Sequence, residues 1–94
     1  MTGIKHDQGK LRYDLVPVEV EEALARVLTY GAEKYAPNNW RYVTNGTDRY
    51  YAALRRHLAA WRMGEELDPE SGLPHLSHAL ACVAFLECLQ CPST

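Results

Sequence analysis

Three segments of the chain repeat apolar residues at helical spacing, and no segment sustains the two-residue alternation of a half-buried strand. They run from about residue 17 to 35, from 47 or 48 to 63, and from 73 to 90. Turn residues separate them, with Pro37, Asn38 and Asn39 after the first segment and Gly64 after the second. The pattern predicts an all-α fold, a three-helix chain with an extended N-terminal arm.

The predicted helices have residues suited to their ends. Pro17 and Pro74 suit the first turns of the first and third helices. Thr47 or Asp48 suits the N-cap of the second helix, and Gly64 suits its C-terminus. We therefore expect one domain over residues 1–94, comprising a basic arm (1–16), a helical core (17–90) and a tail (91–94). The arm has no helical period and could include a short strand.

The size and composition of the chain indicate an oligomer. A chain of 94 residues buries only about two thirds of its unfolded surface. Hydrophobic residues nevertheless make up 47% of the sequence. Some apolar surface is therefore expected to be shared between copies, and we predict a helical bundle completed by oligomerisation, as a homodimer or homotetramer.

The charge balance and the apolar stretches exclude several classes of partner. The formal net charge is −2, which argues against a bulk electrostatic grip on a nucleic-acid polymer but allows a small anionic ligand. The longest apolar stretch, from Ala79 to Leu89, is interrupted by Glu87 and is too short to cross a bilayer. The first residues are polar and resemble no signal peptide. We expect a cytoplasmic protein without membrane contact.

The cysteines do not form a disulfide framework. Cys82, Cys88 and Cys91 are odd in number and lie near the C-terminus. Cys88 and Cys91 form a C-x-x-C pair without a second pair, so we favour packing at a helix end over a zinc ribbon or a redox motif.

Acidic residues could supply oxygen ligands to Mg²⁺. Glu22 and Glu33 share a face of the first predicted helix, and Glu65 and Asp68 lie in the turn before the third. Helical bundles build metal sites from carboxylates on several helices. The competing interpretation is a solvated face and an acidic turn. We favour a functional role for Glu33 and Asp68, and a solvated role for Glu19, Glu21 and Glu66.

Three of the four histidines are predicted to face inward. His75 and His78 are three residues apart on a helix, and His57 lies on the apolar face of the preceding one. They could bind a transition metal, contact phosphate oxygens or act as acid and base. With Cys82 they could also form a zinc-type set, and imidazole suits Mn²⁺, Co²⁺ or Zn²⁺ better than Mg²⁺. The alternative is that they are hydrogen-bonded core residues.

The arm contains Lys5, Lys10 and Arg12 around Gly9, a set that could grip a polyphosphate. The spacing is not that of a Walker loop. His6 and Asp7 lie outside any predicted helix, so they are not interpreted as a phosphohydrolase motif. The alternative is a basic surface arm.

The turn after the first helix combines side chains suited to a nucleobase. Lys34 is a cation near it, Asn39 could recognise a base edge, and Trp40 or Tyr35 could stack on a base. For Trp40, packing into the core is the favoured alternative.

Six ordered motifs cover residues 5 to about 80. They are Lys5-x-Asp7-x-Gly9-Lys10-x-Arg12-x-Asp14-Leu15, Thr29-Tyr30-Gly31-Ala32-x-Lys34-Tyr35, Asn39-Trp40, Arg49-Tyr50-Tyr51-x-Ala53-Leu54-x-Arg56-His57-Leu58, Gly64-Glu65-x-x-Asp68-x-x-Ser71-Gly72 and His75-Leu76-x-His78-Ala79. In this order they resemble the phage dATP/dGTP diphosphohydrolase family of the N-terminal-domain type, related to MazG-like nucleotide pyrophosphohydrolases.

The resemblance implies an all-α oligomer that cleaves dGTP or dATP to a monophosphate and pyrophosphate in the host cytoplasm. It implies a Mg²⁺ or Mn²⁺ cofactor, with Zn²⁺ less favoured. Two groups of residues are implied in the site. Those near the metal and phosphates are Glu33, Asp68, His75 and His78, and those contacting phosphate are Lys5, Lys10 and Arg12.

One departure supports a second hypothesis. MazG-like enzymes carry E-x-x-E on one helix and E-x-x-D on a later one, whereas this chain has His75-x-x-His78 on its third predicted helix. Glu19-x-x-Glu22 and Glu65-x-x-Asp68 have the right spacing, but the second pair falls at a helix–loop junction. The alternative function is a non-catalytic protein that binds and sequesters a nucleotide, and a third is a helical interaction module.

Overall fold

The computed structural model describes residues 3–90 and contains three α-helices. They are α1 (Val18–Lys34), α2 (Gly46–Arg62) and α3 (His75–Gln90). Short 3₁₀ turns occupy Tyr13–Leu15 and Asn39–Tyr42. Within the described range the only β-type pairing is an isolated bridge between Leu67 and Pro74, so the all-α prediction is confirmed. The predicted tail and Cys91 lie outside the described residues.

The third helix packs against both of the others. Its contacts with α2 are the most extensive, and α1 packs on it less closely. Ala79, Ala81 and Cys82 of α3 are buried together with Val27 of α1. Small side chains let helix backbones approach closely, so α3 can lie against two neighbours at once.

Large apolar side chains remain partly exposed around this small core. Leu58 and Trp61 of α2 are 38% and 43% exposed, and Val83 of α3 is 50% exposed. The predicted apolar faces therefore exist, but one chain covers them incompletely. None of the helices in residues 3–90 has the length and apolar character needed to cross a bilayer.

The helix starts differ from the sequence-based expectation. Pro17 and Pro74 lie just before α1 and α3 rather than within their first turns, and their carbonyl oxygens accept the first helical hydrogen bonds. The second helix begins at Gly46, after Asn45 in a left-handed conformation, so Thr47 and Asp48 are not its N-cap. Asn45, with a φ of 56°, sets this start.

The N-terminal residues form no strand in the part of the arm that is described. Residues 3–16 are exposed throughout. A turn closes on the hydrogen bond from Lys10 N to Asp7 O, 3.1 Å long, with Gly9 at a φ of 86°. The 3₁₀ turn Tyr13–Leu15 follows and leads into α1.

The end of α2 is a Schellman motif at Gly64, as the sequence predicted for the helix C-terminus. Gly64 has a φ of 101° and donates its N–H to Trp61 O over 3.0 Å. Glu65 N donates to Ala60 O over 3.0 Å, which completes the motif. This glycine reverses the chain and begins the loop that carries Asp68.

Replacing Gly64 by alanine should destabilise the fold by about 1 kcal/mol, because an L-residue resists the left-handed conformation. The matched control is Gly31→Ala in the interior of α1, where an added Cβ would meet no atom within 4 Å. That change should stabilise the fold by about 0.5–1 kcal/mol. Urea unfolding at equal protein concentration measures the change in unfolding free energy for both variants. A change of the same sign in both would contradict this account of Gly64.

Candidate functional site

The loop between α2 and α3 is a tight hairpin that holds Asp68 in place. Asp68 N donates to Leu73 O over 2.8 Å, and Gly72 N donates to Asp68 O over 2.7 Å. The Asp68 carboxylate accepts the Glu70 N–H at its Oδ1 atom over 2.7 Å. Asp68 Oδ2 is the oxygen that lies nearest the histidines.

Two histidines flank that oxygen. Asp68 Oδ2 lies 3.9 Å from His57 Nδ1 and 3.8 Å from His78 Nε2. The two imidazole rings stack almost in parallel, with centroids 4.6 Å apart and planes 8° apart. The three side chains are the one group in residues 3–90 whose candidate ligand atoms meet as a possible metal site, all within 4.8 Å of one another.

A chain of hydrogen bonds runs from His57 through His75 to Glu65. His75 is buried, and its Nε2 lies 2.6 Å from Glu65 Oε1 while its Nδ1 lies 2.8 Å from His57 Nδ1. The carboxylate can only accept, so His75 Nε2 carries a proton and donates it. In a neutral His75, Nδ1 then accepts the N–H of His57. This chain orients the His57 ring.

The hydroxyl of Ser71 orients His78 in a similar way. Ser71 Oγ accepts the Leu73 N–H over 3.1 Å and lies 2.6 Å from His78 Nε2. The hydroxyl accepts the Leu73 N–H on a lone pair and can donate its O–H to the imidazole nitrogen. The hairpin therefore positions both Asp68 and the ring of His78.

Burial and local charge set the protonation of the three groups. Burial lowers the pKa of His57, and the neighbouring His78 lowers it further. Burial also lowers the pKa of His78, although Asp68 opposes the effect. For Asp68, burial favours the neutral form, but the N–H groups of Glu70 and Ser71 and the nearby imidazoles outweigh it and lower its pKa. Two neutral imidazoles thus lie beside an ionised carboxylate.

The cluster opens into a cleft of about 1070 Å³ lined by all three helices and by the turn after α1. Trp40 stacks on Phe85 in this cleft, with centroids 4.6 Å apart, and its carbonyl accepts the Tyr50 hydroxyl over 2.9 Å. The Arg41 guanidinium lies 4.4 Å from the centroid of the indole. Trp40 is therefore half-buried against Phe85 of α3, and it also lines the cleft.

Several predicted site residues line this cleft without joining the cluster. Glu33, Lys34 and Asn39 belong to its wall. Lys34 forms an ion pair with Glu70, and the paired carboxylate raises the lysine pKa. Its charge is therefore largely compensated within the protein.

Other predicted residues lie elsewhere in the chain. Glu22 is paired with Arg26 on the exposed face of α1, and Glu65 contacts His75 rather than the cluster. Of the four carboxylates predicted to hold a metal, only Asp68 belongs to the cluster. Cys82 lines the cleft, and burial raises the pKa of its thiol to about 11.

The basic arm forms a separate surface pocket of about 610 Å³. Lys5, Lys10 and Arg12 line it, and it shares no residue with the cleft. Arg12 makes two 2.8 Å hydrogen bonds to the carboxylate of Asp14. Within one chain, the structure does not bring the arm to the histidines.

Sequence reasoning gave too little weight to three residues of the cleft. Ser71, Arg49 and Arg56 belong to the motifs that carry the family resemblance but were assigned no role in the site, and all three line the cleft. The two arginines are seven residues apart on α2, which is two helical turns, so they share a face with each other. That spacing was the signal that could have identified them.

Comparisons with known proteins identify the family of this chain. The family model described as dATP/dGTP diphosphohydrolase, N-terminal, matches residues 1–93. The chain belongs to this family. A dATP/dGTP diphosphohydrolase of Salmonella phage PMBT28 is 37% identical over 86 residues, which cover 92% of this chain and 29% of the phage protein. This member of the diphosphohydrolase family thus spans less than a third of that relative, and no solved structure matches it.

Proposed function

We propose that the cleft binds a purine deoxynucleoside triphosphate, dGTP or dATP, and takes part in its metal-dependent hydrolysis to a monophosphate and pyrophosphate. The observation that carries the proposal is an ionised carboxylate between two imidazoles, in a cleft that two arginines also line. Family membership supports the substrate class. The reaction forms a bond from a water oxygen to the α-phosphorus and breaks the bond from that phosphorus to the bridging oxygen.

A divalent ion would be held at Asp68 with His57 and His78, whose donor atoms suit one. The family resemblance implies Mg²⁺ or Mn²⁺ as the cofactor, with Zn²⁺ less favoured, and the donor atoms of the cluster are weighed against this set in the next subsection. When bound, the ion would polarise the α-phosphate and acidify a water.

The protein groups have separate tasks in this proposal. Arg49 and Arg56 bind phosphate oxygens through charge-assisted hydrogen bonds. Glu33, exposed on the cleft wall, accepts the proton of the attacking water. Asn39 and the edge of Trp40 contact the base. His75 orients the ring of His57 through their hydrogen bond.

Asp68→Asn should lower turnover by at least about 100-fold, because it removes the charge of the cluster and keeps its shape. Chromatography of a panel of dNTPs and NTPs after incubation with Mg²⁺ or Mn²⁺ measures the products. Glu66→Gln is the control, since this exposed acid lies in the same loop outside the cluster. Full turnover in Asp68→Asn would remove Asp68 from the chemistry. Intact nucleotides with the unaltered protein would favour the sequestering function instead.

Arg56→Ala should weaken binding of a non-hydrolysable α,β-methylene dGTP analogue about 10- to 150-fold. The range corresponds to about 1.5–3 kcal/mol for one charge-assisted phosphate contact. The adjacent Arg55 provides a matched control, because it contacts the Tyr51 hydroxyl and does not line the cleft. Calorimetry compares the two variants. Equal losses would show that only overall charge matters.

We also propose that the chain assembles as a homodimer or homotetramer. The support is the large apolar surface that one chain leaves exposed on α2 and α3, including Trp61 and Val83. Within one chain, Lys5, Lys10 and Arg12 lie in a pocket separate from the cleft. In an oligomer, these residues of one copy would be able to reach the cleft of another copy.

Sedimentation velocity should give a mass that is two or four times 10.6 kDa. Val83→Glu should shift the distribution towards the monomer, because it places a charge on the apolar surface of α3. A monomer at micromolar concentration in the unaltered protein would contradict the proposed assembly.

A further inference from the structure

We infer that His57, Asp68 and His78 form a metal centre that selects a first-row transition-metal dication, of the Mn²⁺, Co²⁺ or Zn²⁺ class, over Mg²⁺. The inference rests on the proposed function only for the reaction in which the ion would take part. Binding of the ion follows from the side chains themselves and is tested without nucleotide.

The donor atoms determine the selectivity. Two of the three donors are imidazole nitrogens, and the third is a carboxylate oxygen. Imidazole suits Mn²⁺, Co²⁺ and Zn²⁺, whereas Mg²⁺ requires oxygen ligands in a near-ideal octahedron. Among residues 3–90 the other acidic side chains named as candidate ligands do not join this group. A site that offers Mg²⁺ only one protein oxygen binds it weakly.

The geometry is close to what such an ion requires. Ligand atoms about 2.1 Å from a tetrahedral ion lie about 3.4 Å from one another. Asp68 Oδ2 now lies 3.8 Å from His78 Nε2 and 3.9 Å from His57 Nδ1. Each of these two distances has to shorten by about half an ångström. The ligand atoms of the two histidines lie within 4.8 Å of each other, and the stacked rings have to turn so that their lone pairs point at one ion. A mononuclear ion fits between the three groups.

Binding at these nitrogens exchanges two hydrogen bonds for two metal bonds, and the proton that His57 Nδ1 donates to His75 moves to His57 Nε2. His57 Nδ1 would leave His75, and His78 Nε2 would leave the Ser71 hydroxyl. Both former partners keep a second hydrogen bond, His75 to Glu65 and Ser71 to the Leu73 N–H. The exchange thus leaves neither partner without a hydrogen bond in a buried place.

The charge of the loaded centre also fits the cleft. One carboxylate and two neutral imidazoles around a dication leave a net charge of about +1. Arg56 on the same cleft wall adds another positive charge, while the charge of Lys34 is compensated by Glu70. The centre is therefore suited to a polyanionic ligand, and three protein donors leave coordination positions open for it.

The deciding experiment uses the 94-residue chain without a histidine tag. Mn²⁺ is added, and pulsed electron paramagnetic resonance detects coupling to ¹⁴N nuclei in the unaltered protein. We expect ¹⁴N coupling from imidazole ligands, and calorimetry should give an affinity for Mn²⁺ at least about tenfold higher than for Mg²⁺. In the unaltered protein, absence of ¹⁴N coupling, or equal affinities for Mn²⁺ and Mg²⁺, would by itself overturn the inference.

Variants then locate the centre. His57→Gln, Asp68→Asn and His78→Gln should each weaken Mn²⁺ binding at least about tenfold, whereas His6→Gln, in the exposed arm, should not. Circular dichroism identifies any variant that fails to fold.

Cobalt absorption provides a further check, since an intense near-ultraviolet thiolate band would place the ion on cysteines and overturn the assignment.

The outcomes for the metal centre and for the proposed function are distinguishable. Nitrogen-ligated Mn²⁺ without hydrolysis of any nucleotide would support the centre and overturn the proposed activity. Hydrolysis with Mg²⁺ that survives His57→Gln and His78→Gln would support the activity and overturn this centre.

Discussion

The close packing of α3 against α1 and α2 is the constraint on which the rest of the structure depends. Ala79 and Ala81 allow the approach because their side chains are small and almost fully buried. The same approach brings His75 and His78, at the start of α3, to His57 near the end of α2. The apolar packing of α3 and the polar cluster are therefore two parts of one helix contact.

The hairpin between α2 and α3 converts that contact into a chemically specific site. Its backbone hydrogen bonds hold Asp68, and its Ser71 hydroxyl orients His78. Gly64 makes the hairpin possible, because the reversal after α2 needs a left-handed residue. A polar network at this depth is stable only when its members are satisfied, and no buried side-chain N or O atom in the described residues lacks a partner.

Incomplete burial is the second general property of this chain. Only four apolar residues in the described part are buried, while large side chains on every helix remain partly exposed. A chain of 94 residues buries a smaller fraction of its surface than a larger domain does, and this one leaves apolar side chains of all three helices uncovered. The proposed self-association follows from this shortage of burial.

The sequence by itself determined the three helices, the turn at Gly64 and the family, because apolar periodicity and turn residues act over a few neighbouring positions. It also indicated Asp68 and His78 as candidates. It did not determine the N-terminal ends of the helices, where the left-handed Asn45 starts α2 before Thr47. Only the tertiary structure decided that His57 joins Asp68 and His78. Glu33 stays on the cleft wall, Glu65 contacts His75, and Glu22 pairs with Arg26 on α1. The physical reason is that such a meeting depends on how helices cross, and spacing along one helix carries no information about its neighbour.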